Sequence, residues 1–253
     1  MKNLVSVIIP TWNREETLIK AIQSVQNQTH KDLEILVCDD GSTDNTKKLV
    51  SRIISKDSRV KWIAGKHSGR PAIPRNNGLK NSRGNWIAFL DSDDKWDKNK
   101  LTKQLNYAKK NNCEAICTNA ERILDNQNTG SYLSIFQKKR FTIFDLIKSN
   151  HVICSSVLVK KQLIIEAGQF PEEEKFTAIE DYVLWLRVAT TTDFSFINEN
   201  LVDYSDEPQK SIRSVRDSNG IHPVLINNIF WQIRNFNSRS IWILIKLIIQ
   251  LIK

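Results

Sequence analysis

The chain is poor in cysteine, and its cysteines do not form the pattern of a zinc site. Four of its 253 residues are cysteines. Cys113 and Cys117 are spaced C-x-x-x-C, and no second pair with zinc-type spacing exists in the sequence. Cys38 and Cys154 lie in apolar runs, so we expect both of them in the core. This use of cysteine favours a reduced, cytoplasmic protein.

A signal peptide, internal repeats and low-complexity linkers are also missing. The apolar run at residues 5–9 is too short for a signal peptide, and no small-residue cleavage site follows it. With 253 residues and 40% hydrophobic content, the chain can form one large α/β domain, with or without an appendage.

Negative charge is scarce relative to positive charge, since the net charge is +9 and the sequence pI is about 9.4. This balance suits anionic partners such as phosphates, nucleic acid or an acidic membrane, although much of the excess is lysine scattered on predicted helix faces. No nucleic-acid-binding motif is present, and aromatic residues are not interleaved with a basic stripe. We therefore expect no nucleic-acid partner.

Strand and helix patterns alternate up to about Leu90, which is typical of a parallel sheet with crossover helices. Apolar runs predict four strands, at residues 5–9, 33–38, 60–64 and 86–90. Asn13, with Glu16 three residues later, predicts the start of the first helix. Ser42 predicts the start of the second helix.

Acidic clusters follow two of these strands, and they read Asp39-Asp40-Gly41-Ser42 and Asp91-Ser92-Asp93-Asp94. Ligands of open α/β sheets bind outside the carboxyl ends of the strands. If extended geometry persists through Asp93, the carboxylates of Asp91 and Asp93 face one site and suit Mg²⁺ or Mn²⁺. The alternative is a tight turn at each cluster.

A third acidic pair, Glu180-Asp181, opens a predicted helix at residues 180–189. Leu184 and Val188 lie on one face of that helix. Acidic residues in a first helical turn interact favourably with the helix dipole, so periodicity alone assigns this pair no catalytic role.

Taken in order, the motifs of the chain closely resemble those of the family-2 glycosyltransferases. The resemblance extends from residue 4 to about residue 205, and several motifs in the right order are far more specific than any one of them. The matching segments are residues 5–13, 24–29, 39–44, 75–78, 88–96, 167–170 and 180–187. One departure follows Tyr204, where Ser205-Asp206-Glu207 replaces the Tyr-Arg and nearby His that the family often shows. Lys210 or Arg213 would have to substitute there.

The resemblance implies an α/β fold of GT-A type, with a Rossmann-like, mostly parallel central sheet flanked by helices. It implies a catalytic domain at residues 1–205, with a nucleotide-binding half at about 1–97 and an acceptor half at about 98–205. Residues 206–253 would then form a helical C-terminal extension.

The resemblance also carries donor-binding roles onto the matching residues. Thr11, Asp39 and Asp40 would hold the nucleotide base, with Asp40 as the uracil contact. Arg75 would lie near the nucleotide or its phosphates, and Asp91 would approach the ribose.

The same resemblance implies an inverting, metal-dependent sugar transfer. Asp93 would ligate the Mn²⁺ or Mg²⁺ that bridges the donor diphosphate, and Asp181 matches the position of the family's catalytic base. A carboxylate can accept the proton of the acceptor hydroxyl if it lies within hydrogen-bond reach. His67 lies in the basic loop at residues 66–71, and we expect an exposed loop residue rather than a catalyst.

The sequence ends in an apolar helical run at residues 240–253. Arg239, Lys246, Gln250 and Lys253 fall on one face, while Trp242 and several Ile and Leu residues cover the rest. At ~1.5 Å per residue the run is roughly 20 Å long, too short for a hydrocarbon core of ~30 Å. We expect peripheral contact with an anionic membrane, the alternative being packing on the catalytic domain or on another subunit.

These features predict an enzyme that is cytoplasmic and peripheral at the inner face of the cell membrane. It would move a sugar from a nucleotide-sugar donor of UDP type to a hydroxyl of a surface-glycan or polyprenyl-linked acceptor. A homo-oligomer is compatible with the sequence. The alternative function is a catalytically silent nucleotide-sugar-binding partner subunit, and the presence of both Asp93 and Asp181 argues against it.

Overall fold

The structure is a computed structural model that describes residues 3–125, 127–134, 138–207, 221–236 and 240–252. Its strands are β1 (Val5–Thr11), β2 (Leu33–Asp39), β3 (Val60–Ile63), β4 (Trp86–Phe89), β5 (Lys95–Trp96), β6 (Ala115–Leu124), β7 (Gln127–Ser131), β8 (Arg140–Phe141), β9 (Leu158–Lys160) and β10 (Phe194–Ser205). Its α-helices are α1 (Leu18–Gln26), α2 (Thr46–Ile54), α3 (Ala72–Asn81), α4 (Lys100–Asn111), α5 (Ile143–Leu146), α6 (Lys161–Glu166), α7 (Glu180–Ala189), α8 (His222–Arg234) and α9 (Ser240–Ile252).

The strands form one mixed sheet in the order β3-β2-β1-β4-β9-β6-β10-β5, with β7 paired to β6 and β8 paired to β10. Strands β3, β2, β1 and β4 are parallel neighbours, as the alternating pattern predicts. Strand β9 is antiparallel to both β4 and β6, so β4 and β6 point in the same direction. The carboxyl ends of β1, β2, β4 and β6 therefore meet along one border of the sheet, which we call the carboxyl edge.

Strand β1 is buried on both faces, which explains its continuous apolar run. Val7 and Ile9 pack in the core on one face of the sheet, together with Leu18 of α1. Ile8 packs in the core on the other face, together with Trp185 of α7. Helices thus cover both faces, and the α/β class with its parallel first half is confirmed.

The predicted starts of the first two helices are wrong, because their polar residues hold loops instead of caps. Helix α1 begins at Leu18, and Asn13 has a positive φ of 49°. The Asn13 side chain accepts a hydrogen bond from the N–H of Thr43 at 2.9 Å, which joins the loops that follow β1 and β2. Helix α2 begins at Thr46, and the hydroxyl of Ser42 donates to Asp39.

The C-terminal extension contains α8 and α9, which pack against each other. Ile243 and Leu247 of α9 and Val224 and Leu225 of α8 are buried in the core that also contains α7. One face of α9 thus packs on the catalytic domain, as the alternative interpretation predicts, while its other face is exposed. Within the described ranges, no helix has both the length and the apolar character needed to cross a membrane.

Candidate functional site

The carboxyl edge brings together side chains from separate parts of the chain. Thr11 pairs with Asp39 across β1 and β2, and the N–H of Asp40 donates to the Thr11 carbonyl at 2.8 Å. Just beyond β4, the N–H of Asp91 donates to Oγ of Ser155 at 3.0 Å. The four residues for which we predict base or ribose contacts therefore share this edge.

Asp39 forms a tight turn at the end of β2. Its carboxylate accepts hydrogen bonds from the N–H groups of Gly41 at 3.1 Å and Ser42 at 3.0 Å. Gly41 has a φ of +80°, and a Cβ there would lie 2.6 Å from the backbone nitrogen of His67. Asp39 therefore shapes the backbone around the site, in agreement with the turn alternative.

Asp40 holds the loop at residues 66–71 against the carboxyl edge. Its buried carboxylate accepts from the N–H of Ser68 at 3.0 Å, from the Ser68 hydroxyl at 2.7 Å and from the N–H of Gly69 at 2.9 Å. Nδ1 of His67 lies 3.2 Å from the same carboxylate. The carboxylate thus fixes a basic loop over the site.

An aromatic pair lies beside Thr11. The Trp12 ring is 47% exposed and stacks on His67, with the ring centroids 4.3 Å apart. The hydroxyl of Thr11 is buried and has no hydrogen-bond partner among the described residues. The arrangement offers a flat apolar surface to a ligand, while the buried Thr11 hydroxyl keeps unused hydrogen-bonding capacity. Sequence analysis missed Trp12, although an exposed aromatic directly after a strand end is a usable signal.

The second acidic cluster is a turn, so extended geometry does not persist through Asp93. The N–H of Asp94 donates to the Asp91 carbonyl at 3.1 Å. The carboxylate of Asp93 is partly exposed and lies 3.5 Å from the guanidinium of Arg14. The turn still collects three carboxylates in four residues at the tip of β4.

This acidic turn fits a divalent cation. Burial, and then the charges of Asp93 and Asp91, raise the pKa of Asp94 well above its ordinary value. Oδ1 of Asp94 accepts from the N–H of Ser205 at 2.8 Å, whereas its buried Oδ2 has no hydrogen-bond partner among the described residues. No three His, Cys, Asp or Glu side chains form a metal cage in the described part of the chain. Mg²⁺-type sites need no such cage, because one or two carboxylates suffice when substrate phosphates and waters complete the shell.

Arg75 lies buried between the acidic turn at the tip of β4 and α7. Its Nη2 donates to Oδ1 of Asp91 at 2.7 Å, and its Nη1 donates to Oε1 of Glu180. The guanidinium carbon lies 5.4 Å from the centroid of the Phe170 ring. Sequence analysis missed the pairing of Arg75 with Glu180, because no local pattern connects residues so far apart.

Asp181 lies in the first turn of α7 and is partly exposed. Asp181 directly follows Glu180, and Arg75 connects Glu180 to Asp91, so Asp181 lies next to this ion-paired cluster. Burial raises the pKa of Cys154 well above its ordinary value, so this thiol stays neutral and is no nucleophile. The predictions that Cys38 and Cys154 are buried are both confirmed.

The end of β10 and the residues after it depart from the family pattern, and this region reaches the site through the N–H of Ser205, which donates to Asp94. Tyr204 packs edge-on against Tyr132, with the ring centroids 5.1 Å apart. Asp206 pairs with Arg122 at 2.5 Å. Lys210 and Arg213, which we considered as substitutes for the missing arginine, lie outside the described residues, as do Arg239 and Lys253 of the predicted basic face.

Comparison with known proteins identifies relatives over most of the chain. The family model described as Glycosyl transferase family 2 matches residues 6–167. The Escherichia coli protein "UDP-Glc:alpha-D-GlcNAc-diphosphoundecaprenol beta-1,3-glucosyltransferase WfgD" is 37% identical over 195 residues, which are 77% of this chain and 73% of that protein. A glycosyltransferase of Rickettsia felis is 37% identical over 199 residues, and the chain spans only 32% of its length.

Solved structures share the fold at lower identity. Staphylococcus aureus TarS 1–349 in complex with UDP-GlcNAc has a TM-score of 0.77 and 20% identity, over 97% of this chain and 72% of that chain. The mannosyltransferase PcManGT of Pyrobaculum calidifontis, in complex with GDP-Man and Mn²⁺, has a TM-score of 0.62 and 16% identity, over 97% of this chain and 73% of that chain. The GT-A-type fold expected from the sequence resemblance is thereby confirmed.

Proposed function

Because the chain belongs to glycosyl transferase family 2, we propose that it moves a sugar from a UDP-sugar donor to a hydroxyl of a lipid-linked surface-glycan acceptor. The observation that carries this proposal is that Arg75 binds both Asp91 and Glu180, the residue next to Asp181, at the carboxyl edge. The name of the Escherichia coli relative, which specifies UDP-glucose and a diphosphoundecaprenol acceptor, supports the choice of donor and acceptor class.

The donor binds to the first half of the chain, at about residues 1–97, and the acceptor to the half at about 98–205. The free hydroxyl of Thr11 and the loop held by Asp40 form the base pocket, and the ring of Trp12 offers its face to the base. Asp39 supports this pocket through its turn. Asp91, already paired with Arg75, approaches the ribose.

The acidic turn at the tip of β4 holds Mn²⁺ or Mg²⁺, with Asp93 as its ligand. The support is the turn itself, which collects Asp91, Asp93 and Asp94 within four residues and so offers the hard oxygen ligands that such cations prefer. An ion held there would supply positive charge to stabilise the leaving diphosphate. Arg14, at 3.5 Å from Asp93, is close enough to contact the same diphosphate.

Asp181 accepts the proton of the attacking acceptor hydroxyl. Inversion requires that hydroxyl to attack the anomeric carbon from the side opposite the diphosphate, so a base must face the donor. Asp181 is partly exposed and directly follows Glu180, which Arg75 connects to Asp91. Unlike glycoside hydrolysis, this reaction needs no carboxylic acid to protonate a leaving sugar oxygen.

The extension at residues 206–253 contacts an anionic membrane at its cytoplasmic face, where a lipid-linked acceptor is located. Among the described residues, thirteen large hydrophobic side chains are exposed, and ten of them lie between Ile226 and Ile252. Residues 218–253 contain no Asp or Glu but four Arg or Lys residues. An exposed apolar surface in a segment whose only formally charged side chains are basic matches the interface of an anionic bilayer.

The test is transfer by the purified protein from a panel of UDP-sugars, with Mn²⁺, to a lipid-linked GlcNAc diphosphate, and mass spectrometry detects the product. Asp181→Asn should lower kcat by roughly 10²–10⁴-fold, as for loss of a general base, with little change in donor affinity. Donor binding without transfer to any acceptor in a panel would favour the catalytically silent alternative. Wild-type turnover by Asp181→Asn would exclude Asp181 as the base.

A further inference from the structure

The first turn of α7, which presents Asp181, lacks a side-chain cap from its N-cap residue Ile179. Within the turn, the Asp181 carboxylate accepts a hydrogen bond from the N–H of Tyr182 at 2.7 Å. The preceding Ala178 has a φ of +68°, a left-handed conformation that is unfavourable for a residue with a Cβ. A contact from a distant part of the chain also fixes the start of this helix.

That contact is the ion pair between Glu180 and Arg75. Both side chains are only 5% exposed, and α3 supplies the arginine from a distant part of the chain. The pair is incompletely satisfied, because Oε2 of Glu180 and Nε of Arg75 are buried without partners among the described residues. Buried ion pairs often contribute little net stability compared with apolar groups of the same size. The ion pair is therefore explained better by the position in which it holds the start of α7 than by a contribution to the stability of the fold.

The same guanidinium also holds Asp91 at 2.7 Å. Its rigid planar fork keeps two carboxylates at a set spacing, which a lysine ammonium at the end of a flexible stem does not do. Arg75 therefore connects the donor-side turn after β4 to the first turn of α7. Any shift of Glu180 against Asp91 would also shift the neighbouring Asp181.

We propose that Glu180 is a positioning residue, whose ion pair with Arg75 aims Asp181 at the donor bound beside Asp91. This inference rests on the proposed role of Asp181 as the base. It also gives the two adjacent carboxylates different tasks. Glu180 is buried and occupied by Arg75, while Asp181 is partly exposed and accepts the proton.

The test compares wild-type enzyme with Glu180→Gln in Mn²⁺. We expect kcat to fall by up to about 100-fold, the size of loss that follows a misplacement of about 1 Å, while donor affinity is nearly unchanged. The pH profile of kcat should keep its acidic limb, the fall in rate at low pH, but the limb should move to lower pH. The reason is that the variant removes the negative charge of Glu180 and leaves the positive charge of Arg75. Asp181→Asn should abolish that limb.

Glu34→Gln is the matched control, since Glu34 is also buried and ion-paired but lies at the start of β2, away from the site. It should lower the melting temperature without moving the acidic limb. The proposal is overturned if Glu180→Gln keeps wild-type kcat and limb, or slows no more than this control at an equal loss of stability. It is also overturned if Glu180→Gln abolishes the limb, which would make Glu180 the proton acceptor.

Glu180→Asp separates position from charge, and it serves as the second variant if Glu180→Gln does not fold. The shorter side chain keeps its charge but loses its reach to Arg75. We expect kcat to fall by a similar factor while the acidic limb stays in place. Wild-type kcat in Glu180→Asp would overturn the positioning role, whereas wild-type turnover by Asp181→Asn would overturn the proposed base itself.

Discussion

The aspartates at the carboxyl edge have the same side chain but differ in their hydrogen-bond and ion-pair partners. Asp39 and Asp40 are buried and accept several backbone N–H groups, so they organise loops. Asp91 is paired with a buried arginine. Asp93 is partly exposed, and its ion pair with Arg14 is long, at 3.5 Å, so of these four carboxylates we expect it to turn most easily toward a bound cation. The metal assignment therefore depends mainly on Asp93.

Asp93→Asn should remove metal-dependent donor binding while leaving the fold intact. The amide keeps the size of the side chain but is a far weaker ligand than a carboxylate. We expect donor affinity in Mn²⁺ to fall at least about 10-fold, the loss typical of a damaged metal site, measured by calorimetry with and without EDTA. Asp193→Asn is the control, because Asp193 is similarly exposed and also lies 3.5 Å from an arginine, but far from the acidic turn in sequence. Unchanged Mn²⁺ dependence in Asp93→Asn would exclude this ligand.

Among the helices, α3 positions the site most directly, because it carries Arg75. It packs on β1 and β2 at Gly78, about one turn after Arg75. A Cβ at Gly78 would lie 2.5 Å from Cγ2 of Ile8 and 2.9 Å from Sγ of Cys38. The close approach of helix and sheet thus sets the depth at which Arg75 is buried.

Gly78→Ala should therefore destabilise the protein, although alanine is the better helix former. We expect a loss of about 1–3 kcal/mol in the free energy of unfolding, as for overpacked cores, measured by urea denaturation. Lys80→Ala, on an exposed part of the same helix, should change stability by less than about 0.5 kcal/mol. An increase in the free energy of unfolding for Gly78→Ala would contradict this prediction, because it would mean that α3 can move away from the sheet without a loss of packing energy.

The opposite border of the sheet is held by Glu34 at the start of β2. Burial alone would raise its pKa, but hydrogen bonds from Arg83, Ser6 and Lys61 lower the pKa to about 2. The unfolded value is about 4.3, so the stabilisation is complete above that pH and is lost as the pH falls toward about 2.

Glu34→Gln should accordingly be less stable than wild type at pH 7, and the difference should shrink at pH 3. Urea denaturation at the two pH values measures it. Because the folded carboxylate holds fewer protons than the unfolded one across this range, wild type loses more stability than the variant on acidification. An equal difference at both pH values would show that the ion pairs of Glu34 do not contribute to acid sensitivity.

At the scale of the whole molecule, α8 and α9 bury one face in the core and expose the other face to solvent. One face completes the core through residues such as Ile243 and Leu247. The other face exposes Trp242, Phe230 and Ile249 among ten large apolar side chains between Ile226 and Ile252. Deleting α9 would therefore damage the core, so substitution of the exposed face is the cleaner test of membrane contact.

The double variant Trp242→Ser/Ile249→Ser should lose most of its binding to vesicles that contain phosphatidylglycerol, measured by flotation. Fully burying a large apolar side chain is worth about 1.5–3 kcal/mol, so two truncations should weaken binding at least about 10-fold. Part of the wild-type binding should fall with added salt, because basic residues such as Lys246 meet anionic headgroups. Phe144→Ser/Ile165→Ser is the control, since these side chains are 42% and 44% exposed and lie outside α8 and α9.

Equal vesicle binding by both double variants would contradict the membrane assignment. If wild type is a dimer by light scattering and Trp242→Ser/Ile249→Ser is a monomer that still binds vesicles, the exposed face is a subunit interface. Neither result would affect the family assignment, because the family match covers residues 6–167 and the proposed catalytic groups precede α8.

The sequence by itself determined the parallel half of the sheet and the family. Strands buried on both faces must be apolar throughout, so β1 and β2 are visible as continuous runs, and the order of several motifs is specific where each one alone is weak. Only the tertiary structure decided what each polar residue contacts. Asn13 and Ser42 have the chemistry of helix caps, but neither caps a helix. In the fold, Asn13 binds the loop after β2 and Ser42 binds Asp39 at the end of that strand.

The same reason applies to the candidate site and to the end of the chain. A buried guanidinium must be paired, but local sequence cannot select Glu180 from among many carboxylates, because folding alone brings α3 and α7 together. Likewise, the composition of α9 predicts an apolar helix, whereas the position of the core decides which side of it is covered. Patterns of burial are local properties of a sequence, while partners at a distance depend on the assembled sheet.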